Sequence, residues 1–166
     1  MLNNYLYTLL IKPSVMSKIL LLFLVLAGIT PCLNAQEGKN DLVIVGDVST
    51  DLSMQQVDMR YKNNPNAYYI RETGSNAIDQ ISDALAGKMY DSMHIFVRNT
   101  ASSLVFNNLE LTADNIAAYT NVLAKWEKSL HGKIVIHTSD RMDDTAANNI
   151  AAALTKATGL EVIITI

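Results

Sequence analysis

From residue 41 onward the chain alternates short apolar runs with stretches in which apolar residues recur every three or four positions. Runs of the first kind read as strands buried on both faces, and stretches of the second kind as crossover helices between them. Asp41-Leu42-Val43-Ile44-Val45-Gly46 predicts the first strand and Asn66 to Glu72 the second. Met93 to Arg98, Lys133 to Thr138 and Glu161 to Ile166 predict three more. Ser75 is placed to cap a helix through Ile78, Ile81 and Leu85 that Gly87 stops, and Asp143-Asp144-Thr145 opens another that ends at Gly159. Between them, Thr112 opens a long helix whose one face carries Ile116, Tyr119, Leu123, Trp126 and Leu130, closed by His131-Gly132. That face assigns Tyr119 and Trp126 to the core.

Two segments depart from this rhythm. Leu104-Val105-Phe106 and Leu109-Glu110-Leu111 alternate around Asn107-Asn108 and predict a small hairpin that juts from the main sheet. Ser49 to Arg60 is weakly helical, with Leu52, Met54, Val57 and Met59 imperfectly spaced. The expected architecture is a three-layer α/β sandwich: a mainly parallel sheet of about five strands, helices on both faces, and the hairpin. Tyr68 and Tyr69, neighbours on one strand, should turn one ring inward and one outward.

The first 35 residues have a different character. Lys18 precedes the apolar run Ile19 to Ile29, whose eleven residues are too few to span a bilayer, and Pro31-Cys32-Leu33-Asn34-Ala35 follows. This is the order of a secretory signal peptide, with cleavage expected between Ala35 and Gln36, and Met16 would open a leader of ordinary length. Pro31 stands where a lipidated cysteine needs a small residue, so Cys32 is not read as a lipoprotein anchor. Removing residues 1–35 from the 166 leaves 131, enough for a single domain over 36–166, secreted or periplasmic and without a membrane span.

Cys32 is the only cysteine, so the mature chain holds no thiol nucleophile, disulfide or cysteine ligand. Loss of Lys12 and Lys18 leaves 11 basic against 16 acidic residues, a balance that repels nucleic acid. His94, His131 and His137 lack metal-ligand spacing, and neither Gly46 nor Gly74 belongs to a glycine cluster that could cradle a phosphate. No metal, cofactor or nucleic-acid partner is expected. In open parallel sheets the functional crevice lies beyond the C-terminal strand ends. Here those ends offer Gly46-Asp47, Arg71-Glu72, Arg98-Asn99 and Thr138-Ser139-Asp140, with His137 two residues before Ser139 on the same strand face.

Asn76 to Gly87, Met93 to Val97, Leu109 to Trp126, Ile134 to Ile136 and Thr158 to Val162 together resemble the bacterial module called domain of unknown function 4347, from about Leu42 to the end. Its pattern is similar to the caspase, gingipain and separase group of cysteine peptidases. The resemblance implies a caspase-like or flavodoxin-like scaffold, with a general-base His-Gly after the third strand and a nucleophilic Gly-Cys after the fourth. Those pairs fall on Arg98-Asn99 and Thr138-Ser139. A guanidinium stays charged and cannot act as the base, and a serine hydroxyl needs an adjacent base to attack. The resemblance thus implies no catalytic residue and an exported binding or structural module, with Arg98, Asn99, Ser139, Asp140, Asp47 and His137 as its possible contacts to an envelope or extracellular partner. Two alternatives stand beside it: a serine hydrolase using Ser139 with His137 or His94, and a binder of a small anion at the strand ends. For His94, beside Phe96 and Arg98 on one strand face, the expected role is a core or supporting one.

Overall fold

The computed structural model describes residues 40–46 and 52–165, which lie within one compact unit, Lys39–Ile166. The leader, its cleavage point, Cys32, Asp47 and the last residue of the fifth predicted strand lie outside the described residues. The strands are β1 (Leu42–Val45), β2 (Ala67–Tyr69), β3 (Met93–Asn99), β4 (Leu104–Phe106), β5 (Leu109–Leu111), β6 (Ile134–Thr138) and β7 (Val162–Thr165). Three helices are regular: α1 (Leu52–Tyr61), α2 (Ala77–Leu85) and α4 (Asp144–Thr158). A further α-helical turn, α3 (Thr120–Leu123), lies between two 3-10 turns, Ile116–Tyr119 and Trp126–Ser129.

Five strands pair in parallel in the order β2-β1-β3-β6-β7. This is the doubly wound order in which the chain reverses its direction of travel at β1. Right-handed crossovers then put α1 on one face and the later helices on the other, giving a three-layer α/β sandwich. On the larger face Leu42, Ile44, Met93, Ile95, Val97, Ile134, Ile136 and Val162 meet Ile78, Ile81 and Leu85 of α2 and Ile150 and Leu154 of α4. The opposite face is a smaller cluster of Val43, Val45 and Met54, flanked by Val57, Tyr61, Tyr69 and Phe96. That cluster explains how a weakly patterned segment becomes helical. Met54, Val57 and Tyr61 are spaced three and four apart on α1 and cover β1, whereas Met59 points to solvent.

Several expectations need correction. Asn76, not Ser75, caps α2: its Oδ1 accepts from the Asp79 amide at 3.1 Å, while the Ser75 carbonyl receives the Gln80 and Asn108 side-chain amides. Replacing Asn76 with alanine should therefore lower stability by about 1 kcal/mol, read from denaturant midpoints, with Ser75→Ala near zero. The long helix from Thr112 is broken. Thr112 and Asn115 do cap one another, through bonds of 2.9 and 3.4 Å, but the Thr120 hydroxyl then takes the Ala117 carbonyl and the backbone tightens into three-residue turns. Four of the five residues of its expected inward face, Ile116, Leu123, Trp126 and Leu130, are buried and the Trp126 indole donates to Ser82 Oγ at 2.8 Å, whereas Tyr119 is only half-buried against the core. Tyr68 and Tyr69 are both half-buried, because α1 covers one face of β2 and the main core the other.

The hairpin does not jut outward. β4 pairs antiparallel with the end of β3, Arg98 opposite Val105 and Asn99 opposite Leu104, and Leu104, Phe106 and Leu111 join the main core. At the turn, Asn107 Nδ2 donates to the Ile70 carbonyl at 3.0 Å and Asn108 Nδ2 to the Ser75 carbonyl at 2.9 Å. Both acceptors follow β2, so the hairpin closes over the β1–β2 side of the sheet's C-terminal edge. The crevice that this strand order would open between β1 and β3 is thereby occupied by the protein's own chain.

Candidate functional site: the ends of β3 and β6

β3 and β6 run side by side in register from Met93↔Ile134 to Val97↔Thr138. One step beyond the last pair stand Arg98 and Ser139, on the sheet face that also carries Phe96 and His137. Adjacent parallel strands therefore bring these two predicted residues together. Asn99 and Asp140 also meet, through a structural bond: Asn99 Oδ1 accepts from the Asp140 amide at 3.0 Å, and its Nδ2 donates to the Thr100 carbonyl at 2.9 Å. A second tie, from the Asp143 amide to the Ala101 carbonyl, fixes the loop after β6 to the loop after β3. Thr138 is buried and its hydroxyl donates to the Thr165 carbonyl at 3.2 Å, stitching β6 to β7. The Ser139 hydroxyl oxygen is buried and has no hydrogen-bond partner among the described residues. Gly46 sits at the neighbouring strand end, where a Cβ would lie 3.2 Å from the Phe96 carbonyl.

His137 does not turn toward Ser139. Its Nε2 lies 3.1 Å from His94 Nδ1 and its Nδ1 3.1 Å from Thr165 Oγ1, so its bonds run sideways across the sheet. Phe96 stacks on the ring with centroids 4.4 Å apart. Burial, and then the neighbouring His94, push the His137 pKa below the ordinary histidine value. His94 in turn faces Ser92, whose hydroxyl donates to Asp41 at 2.5 Å. His131 is exposed at the other end of β6 and takes no part.

Two polar groupings escaped the sequence reading. One is this histidine chain, whose only sequence signal is polar residues at alternate positions of otherwise apolar strands. The other lies in the β3–β4 turn, where Thr100 Oγ1 meets Ser103 Oγ at 2.6 Å and Ser103 Oγ donates to Glu110 at 2.6 Å. The run Thr100-Ala101-Ser102-Ser103 is a hydroxyl-rich turn signature that could have revealed it. Among the described residues, no cluster of three or more His, Cys, Asp or Glu could hold a metal ion, and no helix is long and apolar enough to cross a membrane.

Strand order defines a doubly wound parallel α/β domain in which Arg98 and Ser139 end the adjacent strands β3 and β6. A family model described as Domain of unknown function (DUF4347) matches residues 42–165, and the chain belongs to that family. No curated protein matches it.

Proposed function

We propose that this is a non-catalytic binding module of an exported protein, built on a caspase-like scaffold whose base and nucleophile positions hold Arg98 and Ser139. The observation that carries this reading is their placement one register step beyond Val97↔Thr138 on adjacent parallel strands. A peptidase of that group needs an imidazole and a thiolate at such a pair of strand ends. A permanent cation and an unactivated hydroxyl give donors instead of a base and a nucleophile. The hydrolase alternative is weakened by the engagement of both His137 ring nitrogens with His94 and Thr165, which leaves the ring no hydrogen bond to Ser139. Export rests on the order of charged, apolar and small residues in the first 35 positions.

The anion-binding alternative deepens the same reading. A buried hydroxyl with no partner among the described residues, at the strand position beside that of Arg98, offers with that arginine donor types suited to a carboxylate or phosphate group. Arg98→Ala should weaken retention of such a ligand by tenfold or more, since charge-assisted bonds contribute about 1.5–3 kcal/mol. Treatment with a fluorophosphonate should give the wild-type protein no more label than Ser139→Ala. Strong labelling that disappears in Ser139→Ala would show an active serine hydrolase and overturn the proposal.

A further inference from the structure

Among the described residues β7 pairs with β6 alone and forms one edge of the parallel sheet. The register of the pair and the bond from the Ile134 amide to the Glu161 carbonyl turn the backbone groups of Glu161, Ile163 and Thr165 toward β6. Those of Val162 and Ile164 therefore face outward, an open row of donors and acceptors that only another extended strand can match in full. Edges of this kind are ordinarily blunted by a charge, a proline or a very short strand. The opposite edge follows that pattern, since β2 has three residues and Pro65 stands two positions before it. β7 does not: Val162, Ile163, Ile164 and Thr165 are all β-branched and uncharged.

Both flanks of this edge are unguarded in the same way. Ile163 shares α1's face of the sheet with Val135 and Thr165, is half-buried, and belongs to neither the main core nor the smaller cluster that α1 covers. On the other face α4 lines a cleft against the turns at 116–120 with Ala153, Lys156 and Ala157. Steps of about 100° per residue put Asn148, Ala151 and Thr155 on the opposite side of α4, toward the β7 edge. The charge of Lys156 is thus kept away from the edge, and short uncharged side chains flank it.

We propose that β7 is the interface between two copies of this chain, paired antiparallel across a two-fold axis at Ile163. A contact made by the same edge of both copies is isologous, and an axis normal to the sheet runs the two strands antiparallel. With Ile163 opposite its own mate, Val162 of one copy faces Ile164 of the other. Both residues are outward-facing, so each such pair exchanges two N–H···O bonds. Ile163 takes the non-hydrogen-bonded position between them, where paired Cα atoms stand about 4.5 Å apart and the two half-buried isoleucines cover one another. Glu161, just before the strand, meets Thr165 of the second copy, which holds the two carboxylates at opposite ends of the ladder. A second copy is favoured over a foreign strand because β7 itself supplies what its edge lacks: a β-branched, uncharged strand of matching length. The Arg98 and Ser139 ends of the two copies then point in opposite directions, a bivalent arrangement that stands whether or not those residues bind an anion.

Sedimentation of the purified protein between about 1 μM and about 1 mM should show a monomer–dimer equilibrium. Ile163→Lys and Ile163→Glu should each raise the dissociation constant by about tenfold or more, because like charges would stand directly opposite, and an equal mixture of the two should regain the dimer. Cross-linking gives a second readout that needs no charge at the edge. In a Cys32→Ser background, Ile163→Cys should form a disulfide with its mate under mild oxidation much faster than the exposed control Met59→Cys, since the expected Cα separation lies within disulfide range. A wild-type chain that is monomeric throughout, a dimer indifferent to both charges, or oxidation at 163 no faster than at 59 would overturn it. So would a monomer whose β7 amides are protected from exchange only by an added β-branched peptide, which would assign the edge to a different chain.

Discussion

Trp126→Ala should lower the unfolding free energy by about 3–5 kcal/mol, the usual range for truncating a buried large aromatic. Three features place it in that range. The indole is buried among residues of α2, α4 and the hairpin, and its Nε1–H is taken by Ser82 Oγ at 2.8 Å. The same ring borders an existing apolar void of about 10 Å³ lined also by Ile78, Ile81, Leu104 and Leu154, so the space left by truncation would merge with space already empty. The surrounding turns cannot close in, because two short 3-10 stretches hold the segment to its path. Trp126→Phe keeps most of the volume and should cost about 1–2 kcal/mol, largely the lost hydrogen bond. Trp126 is the only tryptophan, so unfolding of both variants must be followed by circular dichroism. A loss below about 1 kcal/mol for the alanine variant would mean the core repacks there.

What could be read from the chain divides along a physical line. The five parallel strands were legible because a strand covered on both faces must be apolar at every position, and Leu42–Val45 and Ile134–Ile136 satisfy that without help from tertiary context. Register across strands is a different kind of information. Nothing along the chain says that Phe96 lies opposite His137 and His137 opposite Thr165, so the histidine chain stayed hidden although each member was visible. The winding of residues 116–129 was lost for a related reason. Steps of three and four mark the buried face of an α-helix and of a train of 3-10 turns alike, and only the Thr120–Ala117 bond and its neighbours tell them apart. Arg98 and Ser139 were found by the rule that crevices lie at strand C-termini. The rule could not reveal that the hairpin fills the β1 side, since the Asn107 and Asn108 bonds that hold it there reach back more than thirty residues.

Gly132→Ala is predicted to be the most damaging change that adds a single methyl group at a glycine. A Cβ on Gly132 would stand 2.4 Å from the Asp91 carbonyl oxygen, a backbone atom that has no rotamer to change. That carbonyl lies in a stretch tied on both sides, by Tyr90 N to Ser129 O at 2.9 Å, His131 N to Tyr90 O at 3.0 Å and Met93 N to Lys133 O at 3.1 Å. Relief of the clash must stretch at least one of these bonds, which puts the cost at the upper end of about 1–3 kcal/mol for overpacking. Gly87→Ala is the control. Gly87 has a φ of 70° and open space around its Cβ direction, so alanine there meets backbone strain of about 1–2 kcal/mol and no clash. The two differ in reach as well as size. Gly132 lies at the entry to β6, where the register with β3 is set, and that register brings His137 against His94 and Ser139 beside Arg98. Gly132→Ala should therefore shift the His137 ring signals in NMR spectra as well as lower the urea midpoint, whereas Gly87→Ala should lower the midpoint alone. Unchanged His137 signals in a destabilised Gly132→Ala would show that the strand entry yields locally and that the crevice end keeps its register independently.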